Sequence, residues 1–545
     1  MTGADLIART LQQWGVPFVA TLCGHGLDPI DGACKRLGLR LVDVRNEQAA
    51  GYMADAYGRL TGEVGVCASS SGVAHVNALT GAANAFFDGA PMLLITGSGP
   101  TNSIGGGHFQ DLDHAAIARP ICKYVAVVDQ AERIPEHLHK AWTAAITGRP
   151  GPVQLTIPLD VLNTEIDDAL LSGPSHRPVR PVASGDPSAI REAVGMVMNA
   201  KRPVLVAGSG LHYAHGESAL VRFATTQAIP VVTPIWDRGA ISLPTGVFLG
   251  VVGAATGGPA ILQDADCVIV VGAAADYRLG YLQPPLIKAE ASIVRIDADL
   301  SQLQQGLAAQ LRIAGDPALI LDGLSDALEM AEREPSTAWL TETRSRREDF
   351  RLRGVAVKTV TGSELHALDI VDAVKTILTD DTILIIDGGN IGQWVHQTMT
   401  DRYPGHWLTC GASGVVGYGL PAAMTARLLY PERPIILITG DGAFTFTIAE
   451  LESAARQKLG FAVVLADDEA WGITLTGHIR QFAQGITSEL GPIAFDLVAR
   501  GFGAEGIRMQ SSDELPSVIK RASLGDRPTV IHIPIVRSNP SERAH

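Results

Sequence analysis

The chain is short of basic charge, of aromatic rings and of clustered cysteines, and each shortage removes a class of function. Lys and Arg number 43 against 57 Asp and Glu, a net charge of −14. With the acids scattered along the chain, there is no footprint for nucleic acid and no basic patch for a membrane surface. The six cysteines (Cys23, Cys34, Cys67, Cys122, Cys267 and Cys410) are dispersed without metal-ligand spacing. That predicts reduced thiols in a cytoplasmic protein, not a disulfide framework. No apolar run approaches the length of a membrane-spanning helix. The start, Met1-Thr2-Gly3-Ala4-Asp5, has no basic region leading into an apolar run, so no secretory leader is expected.

What is present is apolar and glycine-rich. Hydrophobic residues make up 46% and charged residues 18%, the balance of a well-buried globular enzyme. The 58 glycines and the low aromatic content of 5% suit an α/β protein with many strand–helix turns. A length of 545 residues is too great for one core and predicts about three domains. Two stretches read as linkers: Ser172-Gly173-Pro174 through Asp186-Pro187, and the charged run from Arg333 to Gly354, the latter partly helical. They divide the chain into residues 1–170, 188–330 and 360–545. Each part alternates short apolar runs with helical patterns; Met92–Thr96, Pro203–Ala207 and Cys267–Val271 are examples. The expected fold class is α/β, three doubly wound parallel-sheet domains.

The strongest chemical signal is Ile435-Ile436-Leu437-Ile438-Thr439-Gly440-Asp441-Gly442. An apolar strand runs into a Gly-Asp-Gly turn, a helix is predicted from Ile448 to Leu459, and a second apolar strand from Phe461 ends in Asp467-Asp468. Both acids then lie at carboxyl ends of strands, where open α/β sheets bind ligands. Glycine lets backbone approach a bulky anion, and Asp441 and Asp468 offer oxygens to a hard cation such as Mg²⁺. A lone Gly-Asp-Gly is ordinarily a surface turn; the second strand in step with it points to a metal-bridged diphosphate site. The middle region carries Gly208-Ser209-Gly210 after a strand, but Tyr213 stands where a dinucleotide fingerprint has its third glycine, so a helix-capping turn is expected there.

A second motif runs Arg45-Asn46-Glu47-Gln48-Ala49-Ala50-Gly51-Tyr52-Met53-Ala54 after the strand Leu39–Val44. Ala49, Ala50, Met53 and Ala54 form a small apolar helix face, and Glu47 falls where strand gives way to helix. By position alone, Glu47 complements a helix dipole. A third motif, Ser69-Ser70-Ser71-Gly72 with Asn77, precedes Gly105-Gly106-Gly107-His108-Phe109-Gln110-Asp111.

These motifs together resemble the thiamine diphosphate (ThDP) enzymes of the acetolactate synthase, benzaldehyde lyase and 2-hydroxyacyl-CoA lyase superfamily, over nearly the whole chain. In that family the metal motif is Gly-Asp-Gly followed by Asn-Asn, and the helix motif is Arg-His-Glu-Gln-Ala-Ala. The resemblance implies pyrimidine-binding, central and diphosphate-binding domains in that order. It implies that Glu47 activates the cofactor by hydrogen-bonding its aminopyrimidine ring, so that a thiazolium carbanion forms inside the bound cofactor. It places Phe109 and Gln110 at the substrate, with Gln110 a donor to a developing oxyanion. His25 and His108 are candidate proton-transfer groups.

For the cofactor, the resemblance implies contacts from Gly24, Ser71 and Asn77 in the first domain. In the last domain it implies Gly389 and Asn390 after the strand Thr382–Ile386, and Gly414 with Val416, the latter wedged between the two cofactor rings. Gly440, Gly442, Ala443 and Phe444, with Trp471, Gly472 and Ile473, complete the set. Asp441, Asp468 and Ala470 are the implied metal ligands. Four departures stand out: Asp467-Asp468 replaces Asn-Asn, Val416 is smaller than the usual Met, Leu or Ile, Cys23 replaces a proline, and Asp237-Arg238-Gly239 stands where flavin-dependent relatives have Gly-Lys-Gly. The last lowers the case for FAD.

The implied activity is a ThDP- and Mg²⁺-dependent lyase or carboligase, working through a carbanion and enamine on a 2-oxo acid, acyloin or 2-hydroxyacyl thioester. A simple 2-oxo acid or oxalyl-CoA-type decarboxylase is the alternative, and a catalytically silent ThDP-binding paralogue is the reading from another class. The family also implies a homodimer or homotetramer whose active sites lie at subunit interfaces.

Overall fold

The computed structural model describes residues 1–167, 176–237, 241, 245–253, 257–306, 308–356, 358, 364–399 and 406–538. Arg238, Gly239, the linker residues 168–175 and the tail from residue 539 lie outside the described residues. The chain packs as two compact units. The first holds Met1–Pro181, Leu420–Leu429 and Thr447–Gln457; the second holds the rest.

The first unit is built on six parallel strands: β1 (Phe18–Thr21), β2 (Arg40–Asp43), β3 (Gly65–Ser69), β4 (Met92–Ser98), β5 (Val125–Val127) and β6 (Pro152–Pro158), in the order β2-β1-β3-β4-β6-β5. The central strands β3, β4 and β6 are buried at every residue, as strands covered by helices on both faces must be. Asn46 caps the helix Glu47–Thr61, its side chain accepting from the Gln48 amide, and Gly62 ends it in a left-handed conformation. The apolar face predicted for this helix is fully buried. It crosses the helix Val73–Asp88 at two glycines. A Cβ on Gly81 would lie 2.2 Å from the Gly51 carbonyl carbon, and one on Gly51 would lie 2.6 Å from the Ala78 oxygen. Only glycine at both positions allows the helices so close. Thr425, from the later segment of this unit, donates to the Met53 carbonyl at 3.2 Å.

The second unit carries two further six-stranded parallel sheets. One comprises β7 (Pro203–Ala207), β8 (Val231–Pro234), β9 (Phe248–Val252), β10 (Cys267–Val271), β11 (Ser292–Asp297) and β12 (Leu311–Ala314), ordered β12-β11-β10-β7-β8-β9. The other comprises β13 (Ile383–Ile386), β14 (His406–Thr409), β15 (Ile435–Gly440), β16 (Ala462–Asp467), β17 (Glu505–Arg508) and β18 (Thr529–Pro534), ordered β14-β13-β15-β16-β18-β17. The expected α/β class with three parallel sheets is therefore the observed one. A continuous apolar core runs through both sheets, from Leu205, Phe223 and Val271 to Trp394, Val464 and Ile531. The charged run after Arg333 forms the helix Thr337–Val355, anchored by buried Trp339, whose ring nitrogen donates to the Pro203 carbonyl at 3.0 Å.

In the middle sheet Gly208 caps a short helix, Ser209–Tyr213. The Ser209 amide at its start donates to Asp237 at 3.0 Å, and Asp237 in turn meets buried Arg278 at 2.5 Å. Burial opposes the charge on Arg278, but the carboxylates of Asp237 and Asp276 outweigh it. The turn is thus closed by a carboxylate of its own chain. Among the described residues no helix is long and apolar enough to cross a membrane, and all six cysteines are free.

Candidate active site

The carboxyl ends of β13, β15 and β16 open on one cleft of about 240 Å³ in the second unit. β15 delivers Gly440 and then Asp441, which begins the short helix Asp441–Thr445. β16 delivers Asp467 and Asp468. β13 leads into Asp387, whose buried carboxylate accepts from the Gly388 amide at 2.7 Å and the Gly419 amide at 3.1 Å and so shapes the turn ahead of the helix Asn390–Thr398. Burial pushes Asp387 up to about 6.

Asp441 and Asp468 are both buried in this cleft. Burial, then the charges of Asp468 and Asp467, push Asp441 up to about 8. Burial pushes Asp468 up to about 6, against a 3.4 Å hydrogen bond from Asn390. Two carboxylates that disfavour each other's charge call for a cation between them. Among the described residues no three His, Cys, Asp or Glu side chains converge on one metal position. A hard cation here must therefore complete its shell from backbone, such as Ala470, and from oxygens of a ligand.

Asn390 donates to Ser538 and to Asp468, while its buried Oδ1 has no hydrogen-bond partner among the described residues. An orphaned buried oxygen beside acids and glycine backbone fits a ligand that brings a metal ion or its own N–H or O–H donors. Trp471 caps the helix Gly472–Phe482 and lays its ring against Gly442, where a Cβ would stand only 2.7 Å from the indole. Gly389, Gly414, Val416, Ala443, Ala470, Gly472 and Ile473 also line the cleft. The Phe444 side chain is buried, edge to face with Phe495 at 5.8 Å. The cleft volume falls below the roughly 300–1,000 Å³ of a whole-ligand pocket, so it suits one end of a long cofactor.

Among the residues that line this cleft and that the sequence reading missed are two on one helix and two that follow strands. Gln393 and His396 stand three and six positions after Asn390 on its helix, a spacing that places them on its face and was open to view. Burial pushes His396 down to about 3, so the ring is neutral. Cys410 follows β14, and Trp236 follows β8 with φ +71 and a carbonyl that accepts from Thr409 at 2.9 Å. Nothing local in the sequence marks either of them.

The first unit gathers the other predicted residues. Glu47, half-buried, opens its helix, and Asn77 donates to its Oε2 at 3.0 Å. Beside this helix, buried Glu450 accepts from the Arg45 amide at 3.0 Å and is pushed by burial up to about 7. Three loops converge elsewhere on the sheet. The His25 ring lies 5.0 Å from that of His108 and 5.5 Å from that of Phe109. Ser71 donates to Gln110 Oε1 at 3.0 Å, and Gly24 packs on Ser70. Gln110 holds the left-handed conformation, φ +58, and its amide oxygen is already used, which leaves its NH₂ group to donate. A cleft of about 540 Å³, lined by His108, Gln110 and His114, adjoins it.

Glycine turns at the carboxyl ends of a parallel sheet are where α/β enzymes take an anionic ligand. Three family models carry this further. The N-terminal TPP binding domain of thiamine pyrophosphate enzymes matches residues 1–117, the central domain residues 190–324, and the C-terminal TPP binding domain residues 387–533. The chain belongs to the thiamine pyrophosphate enzymes. It is 29% identical to a probable acetolactate synthase large subunit of Methanocaldococcus jannaschii, over 98% of this chain and 92% of that protein. It is 30% identical to the acetolactate synthase large subunit of Corynebacterium glutamicum, over 97% and 86%, and 28% identical to 2-hydroxyacyl-CoA lyase 2 of Caenorhabditis elegans, over 94% and 85%. It is a ThDP-dependent enzyme of the group that contains these synthases and lyases.

Proposed function

We propose that the chain makes or breaks a carbon–carbon bond next to a carbonyl, on a 2-oxo acid, acyloin or 2-hydroxyacyl thioester, with ThDP and Mg²⁺. The observation that supports this best is the meeting of Asp441, Asp468 and the orphaned Asn390 oxygen in one glycine-lined cleft. Bound ThDP supplies a carbon acid whose deprotonated form adds to a carbonyl carbon. Asp441, Asp468 and the Ala470 carbonyl hold the cation. Gly389, Asn390, Gly440, Gly442 and Ala443, with Trp471, Gly472 and Ile473, hold the diphosphate. Gly414 and Val416 support the fold of the cofactor, with Val416 leaving more room than a longer side chain.

Glu47 holds a proton at the aminopyrimidine ring, and Asn77 keeps its carboxylate in place. Gln110, anchored by Ser71, donates to the oxygen on which charge develops. Phe109 shapes the pocket, and His25 and His108 pass protons to or from substrate. We read the chain as three domains, 1–170, 188–330 and 360–545, in a cytoplasmic homodimer or homotetramer. In it, Glu47 of one subunit would serve the diphosphate cleft of its partner.

The test is to mix the protein, ThDP and Mg²⁺ with pyruvate, quench in acid and read the cofactor and products by proton NMR. Covalent adducts with two-pyruvate or pyruvate–aldehyde products support a carboligase; acetaldehyde alone supports the decarboxylase. Unmodified cofactor with pyruvate, but turnover of an acyloin or acyl-CoA thioester, supports the lyase. No adduct with any of these donors would overturn the proposal.

A further inference from the structure

At position 467 this chain has an aspartate where the family it resembles has an asparagine. Asparagine brings its own N–H donors; aspartate brings none. The structure supplies one from another strand. His532, on β18 and completely buried, sets Nε2 2.7 Å from Asp467 Oδ2. A carboxylate oxygen accepts, so Nε2 carries the hydrogen. The other ring nitrogen lies 3.5 Å from Asp496 Oδ1 and 3.4 Å from Arg508 Nη1, and the Phe495 ring stands edge to face with the imidazole at 5.4 Å. The ring is held on every side, so its N–H direction is fixed.

The remaining oxygen of Asp467 has a separate task. Oδ1 accepts from the Glu469 amide at 3.2 Å, a turn closed by a side chain two residues back. The turn carries the backbone through Glu469, which takes φ +52 without being glycine. On the outer side Arg537 donates to the carbonyls of Asp468 at 2.9 Å and Glu469 at 3.0 Å. The short segment between these two clamps contains Asp468 and leads straight to Ala470.

We propose that Asp467 and His532 act as one unit in place of asparagine, and that His532 is a positioning residue for the metal site. Its N–H orients Asp467, Asp467 closes the turn at Glu469, and the turn presents the Asp468 carboxylate and the Ala470 carbonyl to the cation. Side chains that orient ligands in this way ordinarily change metal affinity when removed, without touching the metal themselves. The inference rests on the reading of Asp441 and Asp468 as metal ligands.

The experiment is calorimetric titration of the full-length chain with Mg²⁺ in the presence of ThDP, with thermal melting in the absence of both as the control on folding. His532→Leu should weaken Mg²⁺ binding by roughly 10- to 100-fold. His532→Gln, which keeps an N–H donor of similar reach, should stay within about threefold of the original. Asp467→Asn in the His532→Leu background should recover affinity, because it removes the carboxylate left without a donor. Unchanged affinity in His532→Leu, or no recovery in the double variant, overturns the proposal. If His532→Leu does not fold, His532→Gln is compared with the shorter His532→Asn; equal affinities overturn the proposal and a loss confined to Asn supports it. Asp441→Ala, which removes the side-chain oxygens, separates the two layers. If it leaves Mg²⁺ binding intact, the metal-ligand reading itself fails; if it abolishes binding while His532→Leu does not weaken it, only the positioning role fails.

Discussion

Asn77 donates its side-chain amide to Glu47 Oε2 at 3.0 Å, joining the first turn of one helix to the second turn of another, each of which follows a different strand. Glu47 is thereby held by a partner thirty residues away in sequence. Glu47→Gln keeps the shape and removes the acid–base function. It should leave ThDP binding nearly intact and lower kcat by about 10²- to 10⁴-fold. Hydrogen–deuterium exchange on the bound cofactor, followed by NMR, should fall in step; exchange at the original rate would remove Glu47 from the proposed role.

Asn77→Ala frees the carboxylate without altering it. One lost hydrogen bond to a charged group is worth about 1.5–3 kcal/mol, so kcat should drop roughly 10- to 100-fold. In a Glu47→Gln background the same change should have little further effect. Steady-state kinetics on the four proteins of this cycle decide it, and additive losses would show that Asn77 acts independently.

Gly442 faces the indole of Trp471 in the cleft. Gly442→Ala must push that ring aside, whereas Gly440, whose added Cβ would meet nothing closer than 4.0 Å, has room. The expected result is weaker ThDP binding by about tenfold, a displacement of roughly 1.4 kcal/mol, with little change in melting temperature. Tryptophan fluorescence during ThDP titration reads both the affinity and the ring's new surroundings.

Buried His75 hydrogen-bonds Thr96 at 2.8 Å, and burial, with His114 beside it, pushes the ring from 6.5 down to about 3. Between those values the unfolded chain binds the proton and the folded chain does not, so stability rises with pH. The neutral ring's contribution is therefore complete above about pH 6.5 and is lost progressively as pH falls toward 3. His75→Gln should flatten this slope, losing about 1.4 kcal/mol less per pH unit than the original chain. Denaturant titrations at pH 7, 6 and 5, followed by a probe in the first unit, give the comparison. Parallel slopes for the two proteins would mean that His75 takes up its proton in the fold as readily as in the unfolded chain.

Local pattern carried a good part of this structure. Pro203–Ala207 and Cys267–Val271 are strands at the bounds their apolar runs predict, because a strand buried on both faces has no polar interruption. The helix predicted from Ile448 to Leu459 is Glu450–Arg456, and a separate helix, Asp441–Thr445, precedes it where a turn was expected. Gly440 ends the strand, and the acid that follows is well placed to open a helix instead of a loop. The cleft was legible because its chemistry is local, acids and glycines immediately after strands. His532 was not, since a single histidine in an apolar strand carries no local mark and acquires its meaning from β16 alongside. Trp236 was not legible for the same reason: side-chain direction at the end of an element is set by what packs around it.

The first unit takes in Leu420–Leu429 and Thr447–Gln457 as well as the first 181 residues. During synthesis, then, its sheet can be complete while two of its covering segments are still unmade. The helix bearing Glu47 waits for Thr425, and Arg45 waits for Glu450, until the ribosome has passed both. A fragment cut at the end of the first sheet would lack the two later segments that pack with it. The order of translation therefore leaves the surroundings of Glu47 incomplete until Thr425 and Glu450 have been made.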